Sequence, residues 1–277
     1  MLKRATIFRS LKILTTIGVG IYLLIMVALM FFEETLIFPA PRVSDDRWTK
    51  EFQQEDVQFT SADGTKLHGW YFPVADPAQS RGTLLYSHGN GDCVAYLDTL
   101  AESMRNNYAL NVFVYDYRGY GKSEGKPTGV GVLADGEAAQ EWLAERENIA
   151  IDDVILTGRS LGGGVAVHLA AKSGARGLIL ESTFSRLSDV AGSQFPWIPV
   201  RLMMRTKIDS IDKIGNYLGP LLQSHGNADS LISFEQGKKL FDAAQGPKDF
   251  FELDGMDHND PQTGEYYDKL SDFLGSL

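Results

Sequence analysis

Asp153–Thr157 (DVILT) runs directly into Gly158-Arg159-Ser160-Leu161-Gly162-Gly163-Gly164, and the stretch 161–173 that follows has a helical pattern. The middle of this passage is G-x-S-x-G between a strand and a helix, the setting of a nucleophile elbow. The glycines answer a crowding problem. A serine on a sharp, strained turn needs small residues two before and two after, so that strand and helix can pass closely. The start of the helix adds partial positive charge where an oxyanion would form. A glycine-rich turn without chemistry is the bland alternative. The strand before and the helix after are what favour a nucleophile at Ser160.

Outward from this turn, short β-rich runs alternate with helical stretches. Thr83–His88, Asn111–Tyr117, Asp153–Thr157, Gly177–Glu181, Leu221–His225 and Asp249–Leu253 read as strands. Helical patterns lie near 94–106, 132–146, 161–173, 184–195 and 233–244. Such alternation makes an α/β fold, a mostly parallel sheet wrapped by helices on both faces. Two earlier runs, Asp56–Ser61 and Lys66–Val74, are joined across Asp63-Gly64, a hairpin signal, so the sheet begins with an antiparallel pair. Roughly 40 residues separate the strand ending at Glu181 from the one starting near Leu221. That leaves room for a small cap and no large lid domain.

Parallel sheets carry their chemistry at the carboxyl ends of the strands. A serine nucleophile there needs a base and an orienting acid, in the chain order Ser, Asp/Glu, His. After Ser160 two histidines have the required order, His225 and His258. His225 sits at a strand end in SHGNAD and reads as a turn residue. His258 lies in a glycine-bearing loop (DGMDHND) after the final strand, where it can swing over the sheet. Asp229 follows its strand by a few residues and can reach across to that loop. The expectation is that Ser160 attacks, His258 takes and returns its proton, and Asp229 fixes the imidazole tautomer. Asp254, Asp257 and Asp260 are the alternative acids. For the oxyanion, one donor is expected at the Leu161 N–H and the other at the Asn90 N–H, with Gly91 as fallback, in the loop Ser87-His88-Gly89-Asn90-Gly91-Asp92. His88 precedes the serine and reads as structural.

Taken together, SHGNGD (87–92), DYRGYGKSEG (116–125), GRSLGGG (158–164), LILESTFSRL (178–187), SHGNADSLISFEQGKKLF (224–241) and GMDHND (255–260) resemble the α/β-hydrolase superfamily, in particular its membrane-anchored serine hydrolases of the ABHD type. The similarity covers most of residues 55–277 and extends to the N-terminal anchor with LIFPAP after it. It implies an eight-stranded sheet and hydrolysis of an ester, thioester or amide through an acyl-enzyme. Members often carry Ile/Val-Pro after the acid, whereas Ile232-Ser233 stands here. Proline at that place fixes helix entry, so Asp229 is little affected.

The 20 residues Ile13–Phe32 carry no charge. About 20 residues of helix cross a ~30 Å hydrocarbon layer. The run is longer than a signal-peptide core and ends in Phe31-Phe32-Glu33-Glu34 with no small-x-small site, so it reads as an uncleaved anchor. Lys3, Arg4, Arg9 and Lys12 precede it, which places the N-terminus in the cytoplasm and the large domain on the outer side. The expected layout is an anchor in 1–34, a linker in 35–54 and a hydrolase domain in 55–277.

The chain's net charge is −10, and the 237 residues after Ala40 hold 34 acids against 22 bases. Such a domain repels nucleic acid, so no nucleic-acid partner is expected. One cysteine, Cys93, excludes an internal disulfide. Five scattered histidines give no metal-ligand spacing, and no cofactor or metal is expected. Gly121-Lys122-Ser123 lacks the leading glycine of a phosphate loop, since Asp116 stands there. Arg118 and Asp116 are expected to pin their loop. Phe195–Met204 is apolar and placed to line an acyl pocket, and packing as a buried loop and helix is an equally good reading. The functional expectation is a membrane-anchored serine hydrolase for small-molecule or lipid-like acyl esters or thioesters. The alternatives are a peptidase or amidase of the same fold, or a non-catalytic membrane-tethered binding module.

Overall fold

The computed structural model describes residues 2–49 and 52–277, with side chains in the first helix described from Ile7 onward. Met1 of the expected anchor region and Lys50 and Glu51 of the expected linker lie outside the described residues. Among those described, eight strands form one sheet in the order β1-β2-β4-β3-β5-β6-β7-β8. They are β1 (Glu55–Thr60), β2 (Lys66–Phe72), β3 (Gly82–Ser87), β4 (Leu110–Tyr115), β5 (Ile155–Arg159), β6 (Gly177–Glu181), β7 (Leu221–Gly226) and β8 (Lys248–Leu253). The β1–β2 and β2–β4 pairs are antiparallel and the others parallel, as the hairpin at Asp63-Gly64 and the α/β alternation predict.

Successive strand residues point to opposite faces, and here both faces are apolar because helices cover both. Leu85, Phe113, Tyr115, Leu156, Leu178 and Leu180 enter one core, with α4 (Gly129–Glu147) and α5 (Leu161–Ser173). Leu84, Val112, Val114, Ile155, Ile179 and Leu222 enter the other, with α3 (Asp98–Tyr108) and α9 (Gly264–Ser276). Strand β5 starts at Ile155, two residues later than the sequence pattern suggests, because Ile151–Asp153 closes a 3-10 turn. Helix α9 was not foreseen. Its polar residues hide a stripe of Tyr266, Leu270 and Leu274 at helical spacing, which is the buried part.

The order β4-β3-β5 is a switch point. The chain leaves β3 toward one sheet edge and later continues from β5 toward the other, which opens a crevice at their carboxyl ends. Over this crevice lies the cap between β6 and β7. It consists of α6 (Leu187–Gln194), α7 (Val200–Met203) and connecting turns. Helix α8 (Phe234–Ala243) covers β7.

At the N-terminus, α1 (Leu2–Phe31) contains Ile7–Phe31, a stretch long and apolar enough to cross a membrane, none of it buried against the domain. A short α2 (Glu33–Ile37) follows. The segment after it packs on the domain. Phe38 is buried in the core, and the Trp48 ring lies edge-on against His68 and Trp70.

Candidate active site

Ser160 occupies the single residue between β5 and α5, with φ 52° and ψ −116°. A non-glycine residue held there is strained, and the surroundings must enforce it. They do so with backbone bonds. Ser160 N–H donates to the Glu181 carbonyl at 2.9 Å, and the Ser160 carbonyl accepts from Thr183 Oγ1 at 2.7 Å. The glycines meet the expected crowding. A β-carbon on Gly158 would run into the Gly162 carbonyl, and one on Gly162 into the Ser87 carbonyl.

The strand ends bring three predicted side chains together. His258 Nε2 lies 3.1 Å from Ser160 Oγ, and His258 Nδ1 lies 2.8 Å from Asp229 Oδ2. The other carboxylate oxygen, Oδ1, accepts the N–H groups of Leu231 at 2.9 Å and Ile232 at 2.7 Å. Burial works to raise the Asp229 carboxyl, but hydrogen bonds from His225, His258 and Ile232 outweigh it and hold the group well below the usual carboxylate range. Asp229 is therefore an anion at neutral pH, aimed at an imidazole nitrogen.

The alternative acids do other work. Asp257 Oδ1 accepts from His258 N–H and Ser230 N–H, both at 2.7 Å, and ties the histidine loop to the aspartate loop. Asp260 accepts from Asp257 N–H, and Asp254 accepts from Asn227 Nδ2. Arg159, beside the serine, donates from Nη2 to the His258 carbonyl at 2.8 Å and holds the same loop from the other side.

His225 corrects the sequence reading. It is a buried residue of β7, and its Nε2 lies 2.8 Å from the Ile232 carbonyl and 3.3 Å from Asp229 Oδ2. A second imidazole thus shares the carboxylate oxygen that faces His258. The i, i+4 spacing to Asp229 was the available signal.

The loop after β3 covers the start of α5. A β-carbon on Gly89 would stand 3.8 Å from Ser160 Cβ, which places Asn90 one residue from contact with the nucleophile. The Asn90 side chain is clamped, since Oδ1 accepts from Tyr120 Oη at 2.7 Å and Nδ2 donates to the Ile37 carbonyl. Leu161 begins α5 with its side chain buried, so its N–H is one of the unpaired amides of a helix start. His88 packs against Tyr117 with ring centres 4.2 Å apart and planes inclined at 42°, and burial lowers its pKa, so it is a neutral loop residue. Cys93 is buried, and burial followed by the charge of Asp116 pushes its thiol up to about 12, so it holds no thiolate at neutral pH. Arg118 and Asp116 do pin their loops. Arg118 pairs with buried Asp135 at 2.7 Å, and Asp116 Oδ1 accepts from Val94 N–H at 2.9 Å.

An apolar cavity of about 230 Å³ opens beside Asn90. Phe195, Ile198, Val200, Met203 and Met204 of the expected acyl-lining segment form part of its wall.

Residues 78–212 match the family described as serine aminopeptidase, S33. The chain is 32% identical to the protein YfhR of Salmonella typhi over 97% of this chain and 94% of that one. It is 36% identical to alpha/beta hydrolase domain-containing protein 17B of Homo sapiens over 69% of this chain and 66% of that protein. Among solved structures, the Pyrococcus furiosus esterase Pf2001 superposes with a TM-score of 0.70 at 22% identity, covering 86% of this chain and 98% of the other, a likeness of fold.

Proposed function

The chain belongs to the α/β-hydrolase superfamily, and from that premise we propose that it is a membrane-anchored serine hydrolase cleaving carboxylic ester or thioester bonds of lipid-like acyl substrates. The observation that carries this reading is the continuous chain from Ser160 Oγ through the His258 ring to Asp229. Ser160 Oγ attacks the acyl carbonyl as its proton passes to His258 Nε2. Asp229 stabilises the resulting imidazolium and does not itself take the proton. The N–H groups of Asn90 and Leu161 bind the oxyanion. His258 then protonates the departing oxygen or sulfur, the carbonyl–leaving-group bond breaks, and an acyl-Ser160 ester remains. Water, activated by the same histidine, attacks this ester and releases the acid. No metal or cofactor is needed for any of these steps.

The peptidase reading draws on the description of the matched family. A site for a peptide amino terminus needs an acidic group free to pair with it. Glu33 is the acid in the cavity wall, and its carboxylate is already engaged by the backbone N–H groups of Arg205 and Thr206. The apolar wall beside Asn90 therefore favours an acyl substrate.

In the same proposal 1–34 is the anchor, 35–54 the linker and 55–277 the hydrolase domain. Ile13–Phe32 crosses the membrane with the N-terminus cytoplasmic and the domain outside. Labelling of the full chain by a fluorophosphonate, lost in Ser160→Ala, is the expected result. A folded wild type that takes no label and hydrolyses no acyl ester would overturn the hydrolase reading in favour of a binding module. Protease added to sealed cells is expected to digest the domain; protection would reverse the topology.

A further inference from the structure

The cavity beside Asn90 is not walled by the cap alone. Leu29 and Met30 at the end of α1, with Glu33, Leu36 and Ile37 of α2, form its opposite side. Four hydrogen bonds keep this side in place. Glu33 accepts the N–H of Arg205 at 3.0 Å and of Thr206 at 2.6 Å. Arg205 Nη2 donates to the Met30 carbonyl at 2.8 Å, a cation at a helix C-terminus. The Ile37 carbonyl accepts from Asn90 Nδ2, in the loop against the nucleophile. Farther back along α1, Tyr22 Oη donates to the Trp197 carbonyl at 2.9 Å. Tyr22 is nine residues before Phe31, about 13 Å along the helix axis. The cap tip therefore lies along the apolar helix, with Phe195, Trp197 and Leu202 exposed at 48%, 56% and 89%.

We infer that the anchor is one wall of the acyl site: a single acyl chain leaves the bilayer along the α1–cap seam and lies between Met30, Leu36 and the cap, with its carbonyl at Ser160. This rests on the reading of Ser160 as the nucleophile and of α1 as membrane-embedded. The cavity is smaller than the ~300–1,000 Å³ of sites for drug-sized ligands, which suits one chain and no bulky group. A helix serving only as a tether has no reason to line a cavity that reaches Asn90, in the loop against the nucleophile. Glu33, buried and held by two amides, acts as a positioning residue that fixes the helix end to the cap.

The test uses the full chain in detergent micelles and an alkyl fluorophosphonate bearing a photoreactive diazirine near the far end of a long chain. The reagent first bonds to Ser160 and is then photolysed and mapped. The expected crosslinks fall in the tryptic peptide Ile13–Arg42 and in the cap. Crosslinks confined to other peptides would overturn the inference while leaving the hydrolase reading intact. Failure to attach to Ser160 would overturn both. A second readout is chain-length preference. Met30→Trp and Leu36→Trp are expected to lower the ratio of long-chain to acetyl ester kcat/KM by about tenfold or more. An unchanged ratio counts against the wall. Comparing a hexadecanoyl monoglyceride with a hexadecanoyl thioester of N-acetylcysteamine separates the two sources of such a chain, and in either case the tryptophan variants lower the rate.

Discussion

The floor of the site and its roof are built in different ways. The floor is a row of strand ends. Ser160, Asp229 and His258 stand on turns locked by buried backbone hydrogen bonds, and each functional atom has a polar partner within about 3 Å. The roof is apolar. It consists of the cap and the end of α1, joined by Glu33, Arg205, Tyr22 and the clamp on Asn90. A polar site needs each group at a fixed distance and direction. An apolar wall needs only shape. Damage to the floor should therefore stop the chemistry, and damage to the roof should change which substrate is accepted.

The strongest break is at the nucleophile. Ser160→Ala is expected to lower kcat by about 10⁴-fold or more without loss of thermal stability, read by ester turnover and calorimetry. A residual rate within tenfold of wild type would show that the floor is not the reacting surface. Next is Asp229→Asn, expected to cost about 10⁴ in kcat because the amide stabilises the wrong imidazole tautomer. The same variant tests the electrostatics. The folded-state pKa of Asp229 is depressed, so its contribution to stability is present above the unfolded-chain value of ~3.9 and is lost as pH falls through and below that value. The difference in Tm between wild type and Asp229→Asn should change as pH falls below the unfolded-chain value of ~3.9. A difference that stayed the same from pH ~5 down to the acid limit of folding would contradict this assignment of the charge.

A smaller effect is expected at His225, a positioning residue for the carboxylate. His225→Gln should lower kcat by about 10- to 100-fold and shift the acidic limb of the pH–rate profile, since Asp229 loses one of its partners. A fall in stability with an unmoved pH profile would reduce His225 to packing. The smallest change in rate is expected in the roof. Glu33→Ala leaves the amides of Arg205 and Thr206 without their acceptor, at a cost of about 1–3 kcal/mol. KM for long-chain esters should rise with kcat nearly unchanged. A kcat loss as large as that of His225→Gln would show that floor and roof are not separable.

Much of the floor was legible in the residues themselves. Gly158 and Gly162 flank Ser160 because a β-carbon at either place meets backbone, and such a steric demand leaves a mark on residue type. The order Ser160, Asp229, His258 follows the order of strand ends. The alternation of apolar runs marks the sheet because the strand period and the helix period differ. Helix α9 was less legible, since three buried residues among polar ones make a weak pattern. The turn reading of His225 fails because a strand-end histidine and a turn histidine have the same local residues, and the i, i+4 spacing to Asp229 becomes a contact only when the loop folds back on the strand.

Residue pattern alone thus determined the α/β architecture, the elbow at Ser160 and the apolar character of Ile13–Phe32. Each is a local demand on size, hydropathy or backbone angle, written in consecutive residues. The tertiary structure alone decided that Glu33 meets Arg205 and Thr206, that Ile37 meets Asn90, and that Met30 faces the cap. These contacts join residues far apart in the chain, and each has on one side a backbone group that every residue carries or an apolar side chain with many equivalent partners, so nothing local specifies the pairing.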